Sequence, residues 1–103
     1  MYEGLAGFLT SYLHLDWDVE FDSPIDAARH FANNGKLDDL VTVIGEIALI
    51  TAGPENEQRV STLLSSTMCG YVPADGECAR WLSSLGSQIA QVAAARFESV
   101  DGA

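Results

Sequence analysis

The sequence predicts an all-α fold, a small bundle of about five helices with an extended acidic connector after the first helix. Apolar residues recur at helical spacing through most of the chain. The stretches between these periodic segments are short and carry glycine or proline. The 103 residues are enough for one domain. We place that domain at residues 1–98 and expect residues 99–103 to form a frayed tail.

The first two helices are marked by apolar faces and capping residues. We predict the first helix at residues 2–14, where five residues share one face: Leu5, Phe8, Leu9, Tyr12 and Leu13. In the second, predicted at about residues 24–33, Ser23 suits the N-cap and Pro24 the first helical position. Asp26 favours the positive end of this helix, and an Asn-Asn-Gly sequence ends it. Its expected buried residues are Ile25, Ala28, Phe31 and Ala32.

The most apolar segment, residues 36–53, is predicted to form the central helix. Its wide apolar stripe consists of Leu37, Leu40, Val41, Ile44, Ile47 and Ala48. The β-branched residues of this segment leave a strand as the alternative, although its length favours a helix. Gly53 and Pro54 stop the helix.

Two further helices complete the predicted bundle. The fourth covers about residues 54–67 and buries Val60, Leu63 and Leu64. A loop, CGYVPADGE, separates it from the fifth helix at about residues 77–97. One face of the fifth helix carries Cys78, Trp81, Leu82, Leu85, Ile89 and Val92. Cys69 and Cys78 fit neither a redox nor a metal-binding spacing, so we expect free thiols, with Cys69 in the core.

The net charge is strongly negative and unevenly distributed. Fifteen acidic residues against five basic ones give −10. Residues 1–57 hold eleven acids and two bases, which is −9, and residues 58–103 hold four acids and three bases, which is −1. Such a surface repels nucleic acid and anionic lipid and attracts basic proteins, although it could serve solubility alone. The sequence shows no signal peptide or membrane helix, so we expect a cytoplasmic protein.

The acidic residues are densest in HLDWDVEFD, residues 14–22. Four acids, Asp16, Asp18, Glu20 and Asp22, alternate with four apolar residues, Leu15, Trp17, Val19 and Phe21. A period of two predicts an extended chain, with the apolar side chains pinned to the bundle and the carboxylates facing outward. The acids therefore form a surface, and a basic partner would relieve their mutual repulsion.

Metal binding and catalysis receive less support from the residues. The spacing of the four acids is similar to that of a calcium loop, but Phe21 stands where the turn needs glycine and Ala27 where a bidentate Glu belongs. His14 has no metal-ligand spacing to the neighbouring acids, and its position suits the end of a helix. Neither His14 nor His30 belongs to a nucleophile motif, and no phosphate-binding glycine loop occurs.

Several blocks of the sequence match a known pattern. They are Tyr2, the run Tyr12-Leu13-His14, the DWD at residues 16–18, and Ala27 with Phe31, followed more weakly by Gly45–Ile47, Gly70–Pro73 and Arg80–Leu82. With these blocks the chain resembles, over about residues 2–90, a family of immunity proteins (the CdiI type) from bacterial contact-dependent growth inhibition systems. It departs from the family at Leu15, where a polar residue, often Gln, is expected.

The resemblance implies a cytoplasmic binding protein that neutralises the C-terminal toxin domain of a cognate effector, without catalysis or a cofactor. Many such toxins are nucleases with basic grooves, which suit an acidic inhibitor. The predicted partner-binding residues are Tyr12, His14, Asp16, Trp17, Asp18, Glu20, Asp22 and Glu46. Core packing is the alternative for Tyr12 and Trp17, and attachment to a helix end for Glu46. The alternative functions are a small acidic adaptor for another basic protein and a metal-binding module.

Overall fold

The computed structural model describes residues 2–101, and the side chains of residues 2–98. This part of the chain contains six helices: α1 (Glu3–Tyr12), α2 (Trp17–Glu20), α3 (Pro24–Asn34), α4 (Leu37–Ile50), α5 (Asn56–Ser66) and α6 (Cys78–Asp101). The predicted helical bundle is therefore confirmed, and α4 removes the strand alternative for residues 36–53. The radius of gyration, 13.4 Å, is that of a folded domain of this length. Because residues 102–103 and the side chains of residues 99–101 lie outside the description, the domain bounds and the frayed tail stay predictions.

The long helix α6 is the element on which three others pack. It contacts α3, α4 and α5, whereas α1 lies across α3 and α4. Three alanines of α3, Ala27, Ala28 and Ala32, are fully buried. Their small side chains let α3 approach its neighbours closely, so the core is formed by both large aliphatic residues and close helix contacts.

The core contains most, but not all, of the residues that the helical periodicity predicts. On α4, two residues of the predicted stripe face solvent, namely Val41, which is 55 % exposed, and Ala48, so the apolar stripe is narrower than predicted. Ile25 is 39 % exposed because it lies in the first turn of α3, at the edge of the bundle, and Ala27 is buried instead. An apolar stripe read from sequence shows which face is inward but not how far neighbouring helices cover it.

The extended connector is wrong in its central part, where residues 17–20 form the helical turn α2. Its backbone is paired locally, since the amides of Trp17, Val19 and Phe21 donate to the carbonyls of His14, Asp16 and Trp17 at 3.0, 3.1 and 3.0 Å. Only at Phe21 does the backbone become extended, with φ −133° and ψ 144°. An isolated strand would leave these backbone groups without partners, and the helical turn satisfies them.

Helical geometry also changes which side chains of the acidic segment face inward. In a helix, residues four apart lie on one side, so Trp17 and Phe21 together pack against the core. Leu15 and Val19 lie away from the core and are 67 % and 83 % exposed. The expectation that all four apolar residues are pinned to the bundle is therefore wrong for these two.

The N-termini of α3 and α6 are capped by side chains, a serine hydroxyl at α3 and a carboxylate from α5 at α6. Ser23 caps α3 as predicted, accepting a hydrogen bond from the Asp26 amide at 3.2 Å. At α6, the carboxylate of Glu57 accepts hydrogen bonds from the amides of Cys78 and Ala79 at 2.8 and 3.0 Å. The hydrogen bond from Ala79 lowers the pKa of Glu57, against the opposing effect of desolvation. Glu57 therefore attaches α5 to the start of α6.

The two cysteines are free and buried, as the sequence predicts. Cys69 lies just after α5 and Cys78 begins α6. Burial raises the pKa of both thiols, that of Cys78 to about 11, with a further contribution from the Glu57 carboxylate. Both cysteines are therefore protonated near neutral pH and act as small apolar residues.

Candidate functional site

The acidic patch, defined as Asp16, Asp18, Glu20 and Asp22, lies on α2 and its two flanks, and all four side chains are exposed. Among the described residues, the carboxylates of Asp16, Asp18 and Asp22 have no ion pair or hydrogen bond with another side chain. The patch therefore keeps its charge available for another molecule.

Two of the arginines are occupied elsewhere in the fold. Arg96 donates hydrogen bonds to the carbonyls of Ala32 and Gly35, both at 2.7 Å, and so caps the C-terminus of α3. Arg59 donates to the carbonyls of Pro54, at 2.7 Å, and Ala52. These guanidinium groups stabilise chain reversals through backbone oxygens and leave the acidic patch without their charge.

His14 contacts two residues of the acidic turn, the segment from Asp16 to Asp22 that includes α2. Its Nδ1 accepts a hydrogen bond from the Asp16 amide at 3.1 Å. An accepting Nδ1 carries no proton, so the proton of the neutral ring is on Nε2. That atom lies 3.6 Å from Oε1 of Glu20, and the His14 side chain is 36 % exposed. The structure thus brings His14 together with the acidic patch, as the sequence predicts.

Trp17 holds the acidic turn against the loop between α5 and α6. Its ring meets that of Tyr71 edge-on, with centroids 6.0 Å apart and an interplanar angle of 80°. Tyr71 in turn stacks on Trp81, with centroids 5.2 Å apart and planes 20° apart. All three rings are half-buried and pack against the core. Trp17 therefore combines core packing with partial exposure between Asp16 and Asp18.

Gly70 allows this loop to approach the acidic turn. Its amide donates a hydrogen bond to the Leu13 carbonyl at 2.7 Å. A Cβ atom at Gly70 would lie 2.3 Å from the carbonyl oxygen of His14 and 2.7 Å from Cδ1 of Trp17. No side chain fits in that space, so the close contact depends on glycine at this position.

Tyr12 lies at the centre of an aromatic cluster beneath the other end of the turn. Its ring centroid is 5.7 Å from that of Phe8, 5.4 Å from Phe31, 6.4 Å from Phe21 and 6.1 Å from His30. Phe21 also lies 5.4 Å from His30. This cluster fixes the chain where it leaves α2, and Tyr12 is half-buried within it.

Glu46 is not part of this arrangement. Its Oε1 accepts a hydrogen bond from the amide of Leu5 at 2.9 Å, at the N-terminus of α1. The acidic patch follows the C-terminus of the same helix, whose ten residues span about 15 Å. The attachment to a helix end that the sequence analysis offered for Glu46 is therefore present in the structure.

The described residues lack two features by which other functions are recognised. They contain no group of three or more His, Cys, Asp or Glu arranged to hold a metal ion. None of their helices is both long and apolar enough to span a membrane.

The family comparison decides which class of protein carries this surface. The family model described as CdiI immunity protein matches residues 1–89 of the chain. The chain belongs to the CdiI immunity protein family. Neither the curated proteins nor the solved structures gave a significant match.

Membership gives the acidic patch a biological setting. A CdiI immunity protein neutralises the toxin of a contact-dependent growth inhibition system by binding it, and the family is in general not enzymatic. The matched residues include the complete acidic patch and the loop that supports it. For this immunity protein the class of partner is therefore a cognate toxin.

Two features of this region were not predicted from the sequence. The first is the role of Gly70 and Tyr71 in holding the acidic turn, although the Gly-Tyr-Val-Pro run was one of the blocks shared with the family. The second is that Leu15 and Val19 are exposed beside the carboxylates. The spacing of four residues between Trp17 and Phe21 was the available signal for the second feature. In a helical turn it places these two rings on the inward face and leaves Leu15 and Val19 facing outward.

Proposed function

We propose that this immunity protein acts in the cytoplasm and neutralises a basic toxin domain, a nuclease, by binding it through the acidic patch without catalysis. The observation that carries the proposal is the set of exposed carboxylates of Asp16, Asp18 and Asp22, which have no counter-charge among the described residues. They stand on a turn that Trp17 and Gly70 anchor to the rest of the fold.

The chemistry of nucleases explains why such a surface inhibits. A nuclease holds the phosphates of its substrate with basic side chains, and those groups bind carboxylates as well. Carboxylates placed over the groove occupy or screen the groups that hold phosphate. Opposite fields on the two proteins also raise the rate of encounter, because electrostatic attraction guides the approach.

The anchoring of the turn supports tight binding. A flexible acidic segment would lose conformational freedom on binding, whereas a preformed one loses little. The turn is held at one end by the Gly70 contact and at the other by the ring cluster around Tyr12. We therefore propose that Asp16, Asp18 and Asp22 contact basic side chains directly in the arrangement already present.

The remaining predicted residues have different places in the proposal. Glu20 and His14 form one pair at the edge of the patch, and the partly exposed Trp17 supplies an aromatic contact of the kind that dominates many interfaces. Contact of Tyr12 and Glu46 with the toxin stays a prediction, since the contacts that the structure shows for their side chains are internal.

The test is protection of cells that express the toxin domain encoded beside this chain. A variant with Asp16→Asn, Asp18→Asn, Glu20→Gln and Asp22→Asn removes four charges from the patch and should lose protection. A matched variant with Asp38→Asn, Asp39→Asn, Glu55→Gln and Glu98→Gln removes four exposed charges elsewhere and should protect fully. Protection by a folded patch variant would overturn the proposal, as would loss of protection in both variants.

A further inference from the structure

An apolar pocket lies beside the acidic turn, between the end of α5 and the start of α6. It has a volume of about 140 Å³, and its lining includes Leu64, Met68, Cys69, Tyr71, Val72 and Pro73. We call it the Tyr71 pocket. Its floor includes buried residues, Leu64, Cys69 and Pro73, whereas Met68 and Val72 are 67 % and 83 % exposed.

Three of the eight exposed large apolar residues in the described part of the chain lie in or next to the loop that forms this pocket. Leu15, Met68 and Val72 are all at least two-thirds exposed, and each is within two residues of the contact between Gly70 and His14. Exposed apolar side chains grouped around a pocket are typical of a protein interaction site. Scattered single ones would need no such explanation.

The pocket and the acidic patch are linked through the contact between Tyr71 and Trp17. Tyr71 lines the pocket and also contacts the ring of Trp17, which lies between two acidic residues of the patch. A partner that covers both the carboxylates and Trp17 would reach Tyr71 and the pocket beside it. Interfaces commonly have this composition, an apolar and aromatic centre with charged groups around it.

We propose that the Tyr71 pocket receives a single apolar side chain of the toxin domain, one that is flanked by basic residues on the toxin's surface. This inference rests on the proposed function, because it assumes that the toxin binds the acidic patch. The size of the Tyr71 pocket fits this assignment, because a cavity of about 150 Å³ holds one benzene ring. A Leu, Met or Phe side chain is the class of group that fills such a space.

The pocket and the patch have separate tasks in this arrangement. The carboxylates attract the basic surface from a distance, but they would attract any other basic protein in the same way. The pocket accepts only a toxin with an apolar side chain at the matching position, so it distinguishes the cognate toxin from other basic domains. Apolar burial is insensitive to screening by salt, whereas the contribution of the carboxylates falls as salt rises.

The test compares two valines that differ in position. Val72→Ser removes apolar surface at the pocket mouth, and Val41→Ser makes the same change at an exposed site of α4. With the purified toxin domain, we expect Val72→Ser to weaken the affinity about tenfold, because the substitution removes apolar surface that binding buries. Val41→Ser should bind like the wild type. The loss should be the same at low and at high salt.

A second variant removes the concern that the loop is damaged. Met68 has φ 53°, a left-handed conformation that glycine adopts readily. Met68→Gly therefore keeps the loop geometry, should not lower the melting temperature, and should also weaken binding about tenfold. Truncation of the matching toxin side chain to alanine should not weaken Val72→Ser and Met68→Gly further, as a double-mutant cycle measures.

The outcomes separate the two proposals. Wild-type affinity in both Val72→Ser and Met68→Gly, with loss of binding in the variant lacking the four charges, would overturn the pocket and leave the acidic patch in place. An equal loss in Val41→Ser would also overturn the pocket, since the effect would not be local. No binding between the wild-type chain and the toxin domain would overturn both.

Discussion

The amide of Gly70 donates a hydrogen bond to the carbonyl of Leu13 at 2.7 Å, joining the loop after α5 to the end of α1. This contact brings Tyr71 beneath Trp17 and thereby sets the position of the acidic patch. A surface of charged residues needs such an anchor, because exposed carboxylates do not themselves hold the backbone in place. The loop and the turn therefore act as one unit.

Gly70→Ala should disrupt this unit. The added methyl group would collide with the His14 carbonyl oxygen, a backbone atom that cannot rotate away. We expect a loss of about 1–3 kcal/mol in the free energy of unfolding, measured with urea, and weaker protection against the toxin.

The control for Gly70→Ala is Gly45→Ala, since a Cβ at Gly45 meets nothing within 4 Å. In α4 this change should stabilise the protein by about 0.5–1 kcal/mol. Equal unfolding midpoints for Gly70→Ala and wild type would contradict the predicted collision.

Glu46→Ala should separate a structural role from a binding role. Loss of the hydrogen bond to the Leu5 amide should lower the free energy of unfolding by about 1 kcal/mol, as for other helix caps. The affinity for the toxin domain, measured by calorimetry well below the melting temperature, then distinguishes the two roles, because an unchanged affinity indicates the helix cap alone. A large loss of affinity in a folded Glu46→Ala variant would place Glu46 in the interface.

Glu57→Gln should change how stability depends on pH. The folded-state pKa of Glu57 lies below its ordinary value of 4.5 because the Ala79 amide donates to its carboxylate. Its ionised form therefore stabilises the fold above about pH 4.5, and this contribution disappears as the pH falls through the folded-state pKa. The wild type should be more stable than Glu57→Gln at pH 7, and the difference should vanish at low pH.

Urea midpoints measured across this pH range would test the prediction. Glu55→Gln is the control, because the side chain of Glu55 makes no capping hydrogen bond. A gap between wild type and Glu57→Gln that stays constant from neutral to acid pH would rule out the proposed role of the charge.

The association rate with a basic toxin should fall as salt rises. The acidic patch attracts the partner over distances that salt screens, with a Debye length of about 8 Å at physiological ionic strength. Between low and high salt we expect the on-rate of the wild type to fall about tenfold or more. The variant without the four patch charges should show a much shallower dependence, in stopped-flow measurements. A wild-type rate independent of salt would remove electrostatic attraction from the proposed function.

The helices themselves were predictable from the sequence. Apolar residues at helical spacing predicted the five longer helices to within a few residues, because each of these segments buries one face whatever its neighbours are. Ser23 and Pro24 likewise predicted the start of α3, since a cap acts on the backbone next to it. The resemblance to immunity proteins also came from short blocks of sequence, and the family match confirms it.

The errors lie where two interpretations of one local pattern compete. Alternation in residues 15–21 is compatible with an extended chain, but the same spacing places Trp17 and Phe21 on one side of a helical turn. The turn forms because a lone strand has no partner for its backbone groups. Val41 and Ala48 fit an apolar stripe, and only the arrangement of α1, α5 and α6 around α4 leaves them in solvent.

By itself, the sequence determined the helical class, the positions of the five longer helices, the free thiols and the excess of negative charge, because these depend on local periodicity and composition. Tertiary structure alone decided that Glu46 caps a helix 41 residues away and that Gly70 supports the acidic turn. Such contacts join residues distant in the chain, and their partners are chosen by how the helices pack. The exposed carboxylates are visible in the sequence, but the surface that presents them exists only in the folded bundle.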